Sequence, residues 1–375
     1  MTSGDAQRLG VLSQPNFLKL GEKRFSESVR ALRFLGLQEE KISLLGYPDR
    51  GLAALWLDYW SETDQFSSWY SQVDRVPYAQ ALSPQATYNA KSLINDLKKI
   101  FVKFCPTKLY LPHPNDLNGD HWAANAFVLY TLEELKRSTT RFSAAQTELF
   151  TYLIHRNYWP LPRGQQMHRT LEPPKSIQRL DTNWESVPLS LEQTRKKYDA
   201  IRFYKTQSKL TDSHLATFAR RNELFGMIPE LSFATNQRDK KDNSITIRDL
   251  KTQSVLSHLR GYDGIEQIQI VKAQERLKVR VKLYKRLRSS FELRLDIKVI
   301  DQRHGSIRLQ TKGNLVCLDQ QALSADFNLK RNEYSWELEV PSKLFGGARR
   351  IIFGALVYQF DTQIGKSAHR VLELS

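Results

Sequence analysis

The sequence predicts a layered α/β domain followed by an all-β sandwich domain. Three observations carry this expectation. Short apolar runs alternate with helical periodicity from about residue 20 to 230, a polar and charge-dense stretch occupies 235–247, and beyond it the hydrophobic period changes to two. With 375 residues and 41% hydrophobic side chains the chain can fill two cores, so domains are expected at 1–234 and 248–375, joined by a linker at 235–247.

In the first domain, residues 21–35 read as a helix: Phe25, Val29 and Leu32 recur at i, i+4 and i+7, and Gly36 ends it. Ile42 to Leu45 reads as a strand. It runs into the turn Gly46-Tyr-Pro-Asp-Arg-Gly51, whose glycines and proline can set a side chain at a strand's carboxyl end. Leu93, Leu97, Ile100, Phe101 and Phe104 make one face of a further helix, which breaks at Pro106. Lys108 to Leu111 is the next strand, followed by the polar loop 112–120 and a helix from about His121 to Arg137. Such loops are where open α/β sheets gather binding residues. Helices are also expected at 190–206, opened by a Ser190/Gln193 capping box, and at 211–225, where Leu215, Phe218, Asn222 and Phe225 share a face.

In the second domain Leu277, Val279, Val281 and Leu283 alternate with polar residues. So do Phe291, Leu293, Leu295, Ile297 and Val299, and then Tyr334, Trp336, Leu338 and Val340. Alternation of this kind buries one face of each strand and suits two packed sheets.

A formal net charge of +16 favours polyanionic partners. The bases are largely interspersed with acids and apolar residues, so direct nucleic-acid binding is not expected. Cys105 and Cys317 stand far apart, without CxxC spacing, and read as free buried thiols. No apolar run approaches the length of about 18 residues that spans a bilayer, and the first residues lack a leader pattern. A soluble, cytoplasmic protein is the default expectation unless an export signal precedes the chain.

The segment that carries chemistry is Tyr110-Leu-Pro-His-Pro-Asn-Asp-Leu-Asn-Gly-Asp-His-Trp-Ala-Ala124, in which an Asp-His pair opens a helix directly after a strand and loop. Taken alone, the pair also reads as a capping aspartate beside an exposed histidine. It resembles the Asp-x-His-x-Asp-His of the PIG-L/LmbE-like zinc N-deacetylases. Further segments are similar to that family in the same order: Thr2-Ser-Gly-Asp5, Arg24 and Glu27 on the next helix, Leu45-Gly-Tyr-Pro-Asp-Arg-Gly-Leu52, Tyr152-Leu-Ile-His-Arg-Asn-Tyr-Trp-Pro160, and the closing stretches Lys197 to Gln207 and Phe218 to Phe225.

The resemblance covers about residues 1–228. It implies a Rossmann-like three-layer domain, a zinc ion, and hydrolysis of an N-acetyl group on an amino sugar, a glycoconjugate or a related amide. It further implies that His121 is a zinc ligand and Asp120 a catalytic carboxylate beside it. Arg24, Asp49 and His155 are then expected to face the substrate. Asn118 stands where the family has a histidine; an asparagine can donate a hydrogen bond but cannot transfer a proton. The family's Pro-His-Pro-Asp-Asp-Glu motif precedes the Thr-x-Gly-Asp strand and would lie before Met1. Without its two ligands and general base, the chain as given is expected to be inactive. The alternative is a non-catalytic glycan- or polyanion-binding protein on a degenerate deacetylase scaffold.

In the second domain, Tyr334 to Gly347 is similar to the late strand and turn of carbohydrate-binding β-sandwich modules. Simpler roles stand beside these. Asp49 can merely shape its turn, Arg24 can be a solvated helix arginine, His155 can be a structural histidine, and His113 can orient its loop. Trp122, Trp159, Trp184 and Trp336 read as packing residues.

Overall fold

The protein is described from a computed structural model that covers residues 1–6, 14–137, 146–178, 180–233, 244–251, 254–300, 305–319, 321–323 and 327–374. Its contacts divide the chain into two units. One is Met1–Pro174 with Asn183–Met227; the other is Lys175–Thr182 with Ile228–Ser375.

In the first unit, α1 (Gln14–Phe34) turns Phe17, Phe25 and Ala31 inward, and Gly36, at φ 101°, follows its end. The expected strand at 42–45 forms no ladder. Just beyond it, Tyr47 makes a parallel bridge to Thr2, with Ser3 N donating to Tyr47 O at 2.9 Å. After α2 (Leu52–Leu57) comes α3 (Ala90–Phe104), opened by Asn89, whose side chain accepts from Ser92 N. Leu93, Leu97 and Phe101 are buried as expected. Cys105 closes α3 in the left-handed conformation and is exposed, against the expectation of a buried thiol; Cys317 is buried.

Next, β1 (Lys108–Pro112), α4 (Gly119–Lys136) and β2 (Glu148–Tyr152) form a βαβ unit, with β1 and β2 parallel from Lys108↔Glu148 to Pro112↔Tyr152. Helix α4 is buried along most of its length and packs against α2, α3 and β1. After β3 (Asn183–Pro188), Ser190 and Gln193 form the expected capping box of α5 (Leu191–Ile201). The helix expected over 190–206 stops at Ile201, and a separate helix, α6 (Lys205–Ala216), follows.

The helix expected at 211–225 is the main misreading. Residues Asn222–Met227 are a strand, β4, antiparallel to β3, with Asn222, Leu224 and Gly226 buried at period two. The spacing of Leu215, Phe218, Asn222 and Phe225 fits a helical face by accident of a short window. Cross-strand pairing overrides local period in such windows. The resulting sheet has the order β1-β2-β4-β3, and its one parallel pair is β1–β2.

The second unit is β-rich. It contains β5 (Leu231–Ser232), β6 (Ser244–Arg248), α7 (Val255–Leu259), β7 (Ile265–Ala273), β8 (Arg276–Leu283), β9 (Phe291–Val299), β10 (Ser306–Lys312), β11 (Leu315–Leu318), β12 (Gln321–Leu323), β13 (Asn328–Arg331), β14 (Ser335–Pro341), β15 (Arg350–Gln359), β16 (Thr362–Lys366) and β17 (Arg370–Glu373). Of the stretch expected as linker, 235–243 lies outside the described residues, and 244–247 belong to β6.

A mixed sheet runs β12-β11-β10-β9-β15-β17-β5, with β16 also paired to β15. An antiparallel sheet runs β13-β14-β8-β7-β6. The alternating residues expected to point inward, among them Val279, Val281, Leu293, Leu295, Trp336 and Leu338, join one core cluster contributed by both sheets. Trp122, Trp159 and Trp336 are buried, as packing residues.

Candidate active site

The turn after Tyr47 is built by close approach. A Cβ on Gly51 would lie 2.5 Å from the Pro48 ring and 3.1 Å from Phe66, so only glycine fits there. The next residues enter α2, whose first backbone N–H groups have no partners within the helix. Asp120 supplies one of the missing acceptors, Oδ1 taking Leu52 N–H at 3.0 Å, and its Oδ2 takes the N–H of Arg50, just ahead of the helix, at 2.6 Å. Asp49 is tied on the other side. Its backbone N–H donates to Asp5 Oδ1 at 3.2 Å, and its own Oδ2 accepts from Ala6 N at 3.1 Å.

Arg24, on α1, donates to the carbonyl oxygen of Gly4, and its guanidinium lies 3.9 Å from Asp49. Arg24, Asp49 and Asp120 thereby lie together, with Asp5 as a further carboxylate. Burial, then the charge of Asp49, pushes the Asp120 carboxyl up to about 7, although two backbone N–H donors pull the other way. Burial also raises Asp5 above the ordinary carboxylate range.

A second group forms at the entry to α4. Asn118 is the N-cap, its carboxamide oxygen accepting Asp120 N–H at 2.8 Å. Asp116, fully buried, accepts Asn118 N–H at 2.9 Å through Oδ1. Through Oδ2 it accepts Ile154 N–H at 3.0 Å and His155 N–H at 2.9 Å. The same Oδ2 lies 3.3 Å from His121 Nδ1, at ion-pair distance but outside hydrogen-bond geometry. Burial works against ionisation of Asp116, yet His121 and the backbone donors outweigh it and hold the carboxyl below its usual value.

The ring of His155 lies 4.8 Å from that of His121 and 5.9 Å from that of His214, on α6. Burial lowers both His155 and His214, which favours neutral imidazoles. His113, fully buried, stacks on Trp184 at 5.6 Å and accepts Asn115 N–H at Nδ1, so it does orient the loop.

Asp5, Asp116 and His214 are the residues that sequence reasoning left without a role. Asp116 had a signal, as the first carboxylate of Asp116-Leu-Asn-Gly-Asp-His121. Asp5 ends the Thr2-Ser-Gly-Asp5 segment. His214 had none, since it arrives from a helix 59 residues beyond His155.

No helix among the described residues is long and apolar enough to cross a membrane. No curated protein matches the chain. The PIG-L family model, described as GlcNAc-PI de-N-acetylase, matches residues 1–132, so the N-terminal part of the chain, ahead of the β-rich C-terminal region, is similar to that family.

Proposed function

We propose that the N-terminal domain hydrolyses the N-acetyl group of an amino sugar, free or within a glycoconjugate, or of a related amide. The observation that carries this reading is the match of residues 1–132 to the de-N-acetylase family, in a chain that sets Asp120 and His121 just beyond the carboxyl end of β1. The domain is read as Rossmann-like. The parallel β1-α4-β2 unit and the parallel bridge between Thr2 and Tyr47 support that reading.

Zinc is the metal that the family resemblance implies, with His121 as a ligand. His121 Nδ1 is buried and makes no hydrogen bond among the described residues, as a ligand nitrogen could be. A catalytic zinc needs about three protein ligands, and a structural one about four. Among the described residues no three His, Cys, Asp or Glu side chains are placed to hold an ion. These residues do not by themselves fit zinc, and the roles proposed for them are positional and hydrogen-bonding.

Asp120 braces the turn that presents Asp49. Asp49 and Arg24 offer an acceptor and a donor to substrate hydroxyls. Asp116 fixes the backbone at His155, whose neutral ring can meet a substrate hydroxyl or amide. The Asn118 oxygen is engaged in the helix cap, which leaves its NH2 to donate to a substrate oxygen.

The test is acetate release from N-acetylglucosamine and from an N-acetylglucosaminyl glycolipid, with and without added zinc, by the full chain and by His121→Ala. Zinc-dependent release by the wild type that is lost in the variant would carry the hydrolase reading and overturn the expectation that the chain as given is inactive. A folded wild type that frees no acetate under either condition would sink the hydrolase reading and leave the glycan-binding alternative in front.

A further inference from the structure

Arg50 holds a backbone conformation that its side chain disfavours, at φ 63°. In this left-handed region a residue other than glycine, asparagine or aspartate is disfavoured by contact of its Cβ with the backbone. Glycine at this position would relieve the conformation without disturbing the N–H donated to Asp120. The peptide is fixed by that bond at 2.6 Å, one residue before the close-packed Gly51. Strain that persists at a non-glycine position beside a cluster of functional side chains points to a use for the side chain.

The side chain is itself held in place. Arg50 Nη1 donates to Tyr70 Oη at 2.8 Å, and the guanidinium carbon lies 5.3 Å from the centre of the same ring. Tyr70 is pinned in turn. Phe17, which is buried, meets its ring edge-on at 5.6 Å, and the Tyr70 N–H donates to Ser68 Oγ within a tight turn, where Gln72 N also donates to Ser68 O. Arg50 is exposed to solvent, and among the described residues its guanidinium has no carboxylate partner. A preorganised cation without a counter-ion, anchored to the aspartate that precedes His121, is a built half of an anion site.

We propose that Arg50, positioned by Tyr70, binds an oxyanion substituent of the substrate, a carboxylate or a phosphate ester. The planar guanidinium suits both, since either can accept two parallel N–H bonds. The inference rests on the amide-hydrolase reading for the identity of the rest of the ligand, but the anion site itself can be tested without it. Asp49 precedes Arg50 in the turn and Asp120, from α4, accepts the Arg50 N–H, so the carboxylates lie at the backbone of Arg50 while its guanidinium is held at Tyr70.

The test measures binding to the full-length wild type, Arg50→Gly and Tyr70→Phe by isothermal titration. The probes are N-acetylglucosamine, its 6-phosphate, N-acetylmuramic acid, inorganic phosphate and acetate. Wild type is expected to prefer one charged sugar over the neutral one by about tenfold or more, and the phosphate and carboxylate arms tell which oxyanion it takes. Arg50→Gly is expected to lose that preference, bind the neutral sugar as before, and melt at the same or a higher temperature. Tyr70→Phe, which frees the guanidinium while leaving its charge, is expected to fall between the two. If no sugar binds but inorganic phosphate or acetate binds in an Arg50-dependent way, the anion site stands and the amino-sugar reading falls. Equal preference in wild type and Arg50→Gly, or no anion dependence in wild type with any probe, would overturn the inference.

Discussion

Asp120, on the first turn of α4, accepts the backbone N–H of Leu52, the first residue of α2, at 3.0 Å, and so joins two helices through one carboxylate. The resemblance marks Asp120 as a catalytic carboxylate. The geometry gives it a second task, because its other oxygen holds Arg50 N–H. A buried backbone N–H left without its acceptor costs about 1–3 kcal/mol. Asp120→Ala is therefore expected to destabilise the fold by roughly 3 kcal/mol in urea denaturation. Asp120→Asn keeps one acceptor and removes the charge opposed by Asp49, so it should cost less than half as much. An Asp120→Ala variant as stable as wild type would remove the bracing role.

Asn118 is separable from its neighbour. Its side chain caps α4 by accepting Asp120 N–H, and loss of such a cap costs about 1 kcal/mol. Asn118→Ala should show that loss, whereas Asn118→Asp and Asn118→Ser, which preserve an acceptor, should stay within about 0.5 kcal/mol of wild type. The comparison uses midpoint shifts at constant denaturant slope. A rank order in which Asp and Ser fall with Ala would mean that the cap is not what Asn118 contributes.

Much of this was legible before the structure, and the limits have physical causes. Residues whose signal is local were read correctly: the α4 entry from its strand-loop-helix pattern, the Ser190/Gln193 box, and the period-two strands β8, β9 and β14. Residues whose state depends on a distant partner were not. Ile42 to Leu45 looks like a strand, but only Tyr47 finds a bridge partner, at Thr2. Asn222 to Met227 looks helical until β3, some 40 residues earlier, supplies a ladder. The site divides the same way. Asp120 and His121 are adjacent in sequence, so their pairing at the entry to α4 is a local signal. Asp116 acts through backbone groups at 154 and 155, and His214 enters from α6, so neither role is written in local spacing.

Asn222 makes the β3–β4 correction testable. Buried at the start of β4, it accepts Leu171 N–H at 2.6 Å and donates to Leu171 O at 3.0 Å and to Ser186 Oγ at 2.8 Å. Asn222→Leu fills similar space but leaves Leu171 N–H and C=O without partners, at a cost of about 1–3 kcal/mol for each orphaned group. Stability should fall by several kcal/mol, with amide exchange at Leu171 accelerated in the variant. Had this segment been the helix that its spacing suggests, exchange at Leu171 would not respond.

The β-rich unit holds a buried charge cluster whose pH response can be worked out. Asp296 and Lys298 on β9 are both fully buried; Lys298 Nζ lies 2.9 Å from Asp296 Oδ1 and donates to Ser306 Oγ at 2.7 Å, and His369 Nε2 lies 3.0 Å from Asp296 Oδ2. Burial alone would raise Asp296. The Lys298 ammonium and the His369 N–H outweigh it and hold the carboxyl well below the carboxylate range. Burial lowers His369 despite Asp296, so the neutral ring gives its Nε2–H to the carboxylate. Both groups thus bind protons less readily in the fold than in the unfolded chain. Each contributes stability that is present above its unfolded value, about 6.5 for His369 and about 3.9 for Asp296, and is lost as pH falls below that toward the folded value. The contribution of His369 to stability in urea denaturation should fall from pH 7.5 to 5. His369→Gln, which keeps a donor to Asp296, should lose less stability than wild type over that interval; an equal loss would mean that His369 titrates alike in the fold and the unfolded chain, and a greater loss that it is charged in the fold. Lys298→Met should cost about 3–5 kcal/mol at pH 7.5, because it strands a buried carboxylate. The double change Asp296→Leu with Lys298→Met should cost far less than the sum of the single changes, since it removes both charges together. Additive losses in that cycle would mean that the two side chains are not coupled.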